Sequence, residues 1–99
     1  MTPDELSLLL FLETCAVDHG GLVDVRGMND EDRIITNRWH EAGYIEYGRI
    51  RAHDIRNFAN SSCTHWVELS PTAFRDAHQE RIARAERMKK KRTWNKTRF

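Results

Sequence analysis

Residues 6–17 carry Leu6, Leu8, Leu9, Leu10, Phe11, Leu12, Ala16 and Val17, which wraps apolar side chains around most of a helical circumference. Ser7, Thr14 and Asp18 are left as a narrow polar strip. A helix of this kind is buried centrally or shares a face with a partner. Thr2, Pro3 and Glu5 announce its start as N-cap, first-turn proline and capping-box acid, and His19-Gly20-Gly21 ends it. Residues 22–25 then read as a short strand between glycines. Asn29 caps a second helix, whose first turn places Asp30, Glu31 and Asp32 at the positive end of the helix dipole. Ile35, Trp39 and Ala42, with Ile34 alongside, give that helix one core stripe, and Gly43 stops it.

Alternation takes over next. Residues 44–51 put Ile45 and Tyr47 on one face of a strand, and residues 63–69 put Val67 and Leu69 on one face with Trp66 and Glu68 on the other. The polar stretch between them, residues 53–62, reads as a long hairpin loop. Ser70-Pro71 opens a third helix, for which Phe74, Ala77, Arg81, Ala85 and Met88 form the predicted packing seam. The pattern predicts an α+β domain over residues 1–88, with three helices and a small antiparallel sheet. Its core should hold Ile35, Trp39, Ile45, Val67, Leu69 and Phe74. Residues 89–99 read as a flexible basic tail.

Composition narrows the function. Ninety-nine residues make one domain with a modest core, and two cysteines are too few for a disulfide scaffold. No apolar run of about 18 residues is present, and the acidic start lacks a signal pattern, so a cytoplasmic protein with no membrane partner is expected. The net charge of +1 hides a sharp asymmetry. Residues 81–99 hold nine basic side chains against one acid, a balance of +8, while residues 1–80 hold seven against fourteen, a balance of −7. Such a split points to an anionic partner for the C-terminal segment, nucleic acid above all.

The order helix, short strand, helix, long-tipped hairpin, helix resembles a winged helix. Two stretches sharpen the resemblance. Residues 39–45, Trp-His-Glu-Ala-Gly-Tyr-Ile, are similar to the end of a recognition helix passing into the wing. Residues 67–74, Val-Glu-Leu-Ser-Pro-Thr-Ala-Phe, are similar to the second wing strand entering the last helix, with Ser70 and Ala73 where the family usually has Thr and Gly. The resemblance covers roughly residues 4–88 and implies a small stand-alone regulator that binds duplex DNA, commonly as a homodimer. Two departures stand out: only about ten residues separate the first helix from the presumed recognition helix, and that helix starts with three acids where bases are usually contacted.

Candidate contacts follow. Arg33, Thr36, Asn37 and His40 lie off the Ile35/Trp39 stripe and would read the major groove, where Arg suits guanine and Asn adenine. Arg49, Arg51 and Arg56 of the wing would follow the phosphates or enter the minor groove. Lys89, Lys90, Lys91, Arg92, Lys96 and Arg98 would supply sequence-independent, salt-sensitive affinity, and Trp94 and Phe99 among them suit stacking on unpaired bases. Cys15 and His19, with Cys63 and His65, could form a four-ligand zinc set, but their spacing fits no common zinc module, and neither metal nor cofactor is expected. No phosphate loop or nucleophile elbow occurs, so no catalytic residue is expected. The alternative function is a protein-interaction module, an adaptor or inhibitor docking through its acidic body.

Overall fold

The computed structural model describes residues 1–51 and 63–96, the last six of these as backbone only. Helix α1 spans Pro3–Asp18. The Thr2 hydroxyl accepts from the Glu5 amide at 3.2 Å, and the Glu5 carboxylate accepts from the Thr2 amide at 3.3 Å, which satisfies two otherwise orphaned donors. At the other end Gly20 and Gly21 adopt positive φ. Gly21 has a second reason to lack a side chain: an added Cβ would sit 3.0 Å from the Val67 carbonyl oxygen. Its own carbonyl accepts from the Val67 amide at 2.8 Å, which ties the turn to the sheet.

Strand β1 is only Leu22–Val23 and passes into a 3₁₀ turn at Val25–Gly27. Helix α2, Asp30–Glu41, starts with a reciprocal capping box between Asn29 and Asp32. Gly43, at φ 77°, turns the chain into strand β2, Ile45–Arg49. Strand β3, His65–Leu69, pairs antiparallel with both neighbours, giving a three-stranded sheet ordered β1-β3-β2. Helix α3 is Pro71–Lys96, with the Ser70 hydroxyl accepting from the Ala73 amide at 3.1 Å at its start. The architecture is α+β: three helices and one antiparallel sheet. No helix among the described residues is long and apolar enough to cross a membrane.

The core gathers Leu8, Leu9, Leu10, Leu12 and Cys15 of α1 with Ile35 and Trp39 of α2, Ile45, Val67 and Leu69 of the sheet, and Ala73 and Ala77 of α3. Helix α1 is therefore central, packed by α2, the sheet and α3, and its apolar circumference is largely absorbed within one chain. Even its polar strip is covered in part, because Arg84 donates to the Ser7 hydroxyl and Arg81 to the Thr14 hydroxyl. Trp39 meets Tyr44 edge-on at 5.4 Å, and the Tyr44 hydroxyl donates to Asp76 at 2.6 Å. That pair clamps α3 to the α2–β2 turn. Burial first, then the bond to Asp76, pushes the Tyr44 phenol well above its ordinary value, so it stays a donor.

Two expectations are corrected. Phe74 is not in the core: it is 39% exposed, while Ala73 and Ala77 are fully buried. The seam of α3 runs through Ala73, Ala77, Glu80 and Arg84, one residue round the helix from the predicted row, and Met88 is exposed. The cause is distance. Small side chains let the α3 backbone approach the sheet and α1 closely, and a phenyl ring there would hold them apart. The helix also continues past residue 88 to Lys96, because no Gly or Pro interrupts residues 72–96.

Trp39→Ala is expected to cost about 3–5 kcal/mol, the usual loss for a large core aromatic. Phe74→Ala is expected to cost about 1 kcal/mol or less. Urea unfolding of both variants checks the difference, and equal losses would contradict the packing seam described here.

Candidate nucleic-acid interface

The inner face of the β2–β3 pair changes character along its length. On β2 it runs Ile45, Tyr47, Arg49, and on β3 it runs Leu69, Val67, His65. The register places Ile45 opposite Leu69 in the core and Arg49 opposite His65 at the end leading to the hairpin. Past Arg49 the ladder continues for one more bond, from the Ile50 amide to the Thr64 carbonyl at 2.9 Å. Side-chain alternation thus carries one sheet face from buried aliphatic residues to polar ones without a change of side.

The polar end is built around a ring pair. Tyr47 and His65 stack with centroids 5.3 Å apart and planes 11° from parallel. The Thr64 hydroxyl lies 2.8 Å from His65 Nδ1, which leaves Nε2 as the ring nitrogen with no partner among the described residues. Helix α2 closes the arrangement from one side. The Tyr47 amide donates to His40 Nδ1 at 3.3 Å, which fixes the ring proton of a neutral His40 on Nε2. Arg33, two turns earlier, is near enough for its charge to act on both Tyr47 and His65. Burial lowers the His65 pKa below its ordinary value, and Arg49 and Arg33 lower it further. Burial raises the Tyr47 phenol, with Arg33 opposing.

Ion pairing separates the arginines into two groups. Arg26 pairs with Asp24 at 2.8 Å, Arg38 with Glu5 at 3.0 Å, Arg81 with Glu13, and Arg84 and Arg87 with Glu80 at 3.0 and 3.1 Å. Arg81, Arg84 and Arg87, among the basic residues beyond position 80, are therefore engaged within the fold. Arg33, Arg49, Arg51 and Arg75 are exposed and have no carboxylate partner among the described residues. Arg49 is the cross-strand partner of His65 in the stacked pair, and Arg33 lies on α2, the helix that His40 joins to Tyr47.

The expected contact residues fall out as follows. Arg33, Asn37 and His40 form an exposed stripe along α2 beside the hairpin, and Arg49 and Arg51 extend it. Thr36 is corrected: it is fully buried, with its hydroxyl donating to the Asp32 carbonyl at 2.7 Å, and it cannot reach a ligand. A helical hydroxyl satisfied one turn back costs little to bury, so the core stripe takes Thr36 in with Ile35 and Trp39. Lys89 and Lys90 are exposed near the end of α3. Lys91, Arg92 and Lys96 continue its backbone, and Arg56 and Arg98 lie outside the described residues. Tyr47 and His65 are absent from the set of contacts expected from the sequence. The signal for them was there, in two strand faces that both turn polar toward the same loop.

Cys15 is buried and Cys63 half-buried, both as free thiols, and burial raises the Cys15 thiol. Among the described residues no three metal-ligating side chains converge. Compared with known proteins, the chain matches no family model, no curated protein and no solved structure.

Because the folded state holds the His65 proton less tightly than the unfolded chain does, the unfolded state binds more protons just below pH 6.5. His65 therefore contributes stability that is present above its unfolded value and lost as pH falls through 6.5 toward its depressed folded value. Glu5, Asp24 and Glu80, held low by bonds to the Thr2 backbone, Arg26 and Arg84, act only at more acid pH. Urea midpoints are expected to fall between pH 7.5 and 5.5 more in the native chain than in His65→Gln. An equal fall in both would contradict this placement of His65.

Proposed function

We propose that this chain is a winged-helix regulator that binds duplex DNA and has no catalytic activity. The observation that carries the reading is that Arg49, unpaired with any described carboxylate, stands opposite His65 of the stacked Tyr47–His65 rings, beside the exposed Arg33, Asn37 and His40 stripe that His40 joins to Tyr47. In a chain whose first 80 residues are strongly acidic, exposed guanidiniums without acid partners mark a surface kept for an outside anion. The order of elements supports the winged-helix reading: α2 lies beside a β2–β3 hairpin, so helix stripe and hairpin can meet a duplex together. The basic end of α3 adds salt-sensitive affinity without reading sequence.

Dimerisation belongs to this reading because paired half-sites require two copies. Helix α1 buries most of its leucines within the chain, leaving Leu6 half-buried and Val17 exposed. On α3, Ile82 and Met88 are exposed, and α1 and α3 together are the surface proposed for a second copy.

One observation favours the protein-interaction alternative. Asp4, Glu31 and Asp32 border a cleft floored by Leu8 and Phe11, next to the exposed Asp30. Asp32 also closes the α2 capping box, so charge reversal there would damage the helix. Asp30 and Glu31 are the clean positions for testing a protein contact.

Binding to duplexes of random and selected sequence at two salt concentrations tests the function. Removing residues 89–99 is expected to weaken binding to every duplex alike and to flatten the salt dependence by about 0.9 per lost phosphate contact. Arg33→Ala or Asn37→Ala is expected to lose about 1–3 kcal/mol of preference for one sequence. Stoichiometry in the same titrations should read two chains per palindromic duplex, and one chain per duplex contradicts the dimer. No retention of any duplex at low salt rules out the DNA reading and leaves the adaptor.

A further inference from the structure

The free protein gathers a repulsive set of groups at the hairpin end of its sheet. His65 faces Arg49 across the β2–β3 pair, Tyr47 lies against its ring, Arg33 acts on it from α2, and Val23 is its partner on β1. Asp24, next to Val23, spends its carboxylate on Arg26. The charges that reach the imidazole from described residues are both positive. His53, Asp54 and Arg56 follow in the chain beyond the described residues.

His65 Nε2 and the Tyr47 hydroxyl have no hydrogen-bond partner among the described residues, and both residues are half-buried, while Arg33 and Arg49 are exposed. An imidazole nitrogen, a phenol and two guanidiniums, all able to donate, match the oxygens of one phosphodiester.

We propose that the Tyr47–His65 stack, with Arg33 and Arg49 beside it, seats one backbone phosphate, and that His65 takes up a proton from solvent when the phosphate arrives. The proposal rests on the DNA reading above and adds a linkage to it. A phosphodiester stays a monoanion throughout the range in which histidine titrates, so His65 is the group that changes. Before binding, burial and two neighbouring cations keep the imidazole neutral near pH 7. The phosphate cancels the repulsion and accepts a hydrogen bond from Nε2–H, which favours the imidazolium. Linkage fixes the sign: a ligand that raises the pKa of a group binds more tightly as pH falls toward that group's value in the free protein. Binding is thereby pH-responsive through a residue that touches the phosphate and not through unfolding.

The test uses the full chain, a fluorescent random-sequence duplex at low salt, and pH values from 5.5 to 8. In parallel, the His65 ring resonances are titrated with and without the same duplex. The midpoint of free His65 is expected below 6.5 and should rise when DNA is added. Affinity should increase as pH falls, by about tenfold for each unit by which DNA raises that midpoint. His65→Gln should bind with the pH dependence attributable to His65 removed, and Arg49→Ala should raise the midpoint of free His65. Duplex binding with an unmoved His65 resonance, or with the same pH slope in His65→Gln, overturns the phosphate seat and leaves DNA binding standing. A shift as large with inorganic sulfate at matched ionic strength overturns the assignment to a nucleic-acid backbone. No duplex binding at any pH overturns both.

Discussion

The register of β2 against β3 is the constraint on which the other features depend. It is held where Gly48 faces Trp66, because the indole lies over the glycine so closely that a Cβ there would sit 2.8–2.9 Å from three of its ring atoms. Only glycine at position 48 admits that ring. With the pair fixed, Ile45, Val67 and Leu69 face the core, and Tyr47, Arg49 and His65 continue the same face into solvent. A slip of one residue would turn the slipped strand over, taking its aliphatic residues out of the core and moving its polar end, Arg49 or His65, to the opposite face of the sheet. Core and candidate interface are thus two ends of one strand pair, and the same pairing specifies both.

Charge is arranged with similar economy. The acidic body engages Arg26, Arg38, Arg81, Arg84 and Arg87 in ion pairs, two of which, Arg38–Glu5 and Arg81–Glu13, bind one element to another. Exposed pairs of this sort add little stability individually, so their main consequence is electrostatic: they remove those cations from the outward field. Apart from Arg75 near the start of α3, the described cations that remain lie beside the hairpin and along the end of α3. The acids at the start of α2 cap their own helix and face the α1 side, where they border a separate cleft. A chain of nearly neutral net charge thereby presents a basic face and an acidic face.

Much of this was legible in the sequence because local signals and the fold agree. The Thr2–Glu5 box, the Asn29 cap, Ser70-Pro71 and the alternation through Ile45 and Val67 each specify an element without reference to the others. Two of the failures, Phe74 and His65, depended on a partner the local pattern does not contain. Two helical rows share Ala77, and hydrophobicity selects the one with Phe74, whereas the close approach of α1 and the sheet selects the one with Ala73. Thr36 looks like a polar surface residue until the Asp32 carbonyl is in place. His65 reads as half of an unconvincing metal pair until the register brings Arg49 opposite it. The end of α3 reads as a dissolving pattern because its charged residues give no stripe, although nothing in them stops a helix.

In the proposed reading, the polar end of the β2–β3 pair, with the outer stripe of α2, meets DNA. Amide chemical-shift mapping of the labelled chain with a short duplex at low salt checks that surface. The largest changes are expected on Arg33, Asn37 and His40 and on the strand ends around Tyr47, Arg49 and His65, with the α1–α2 cleft undisturbed. Changes confined to Asp30, Glu31 and that cleft, or to the end of α3 alone, would rule this surface out.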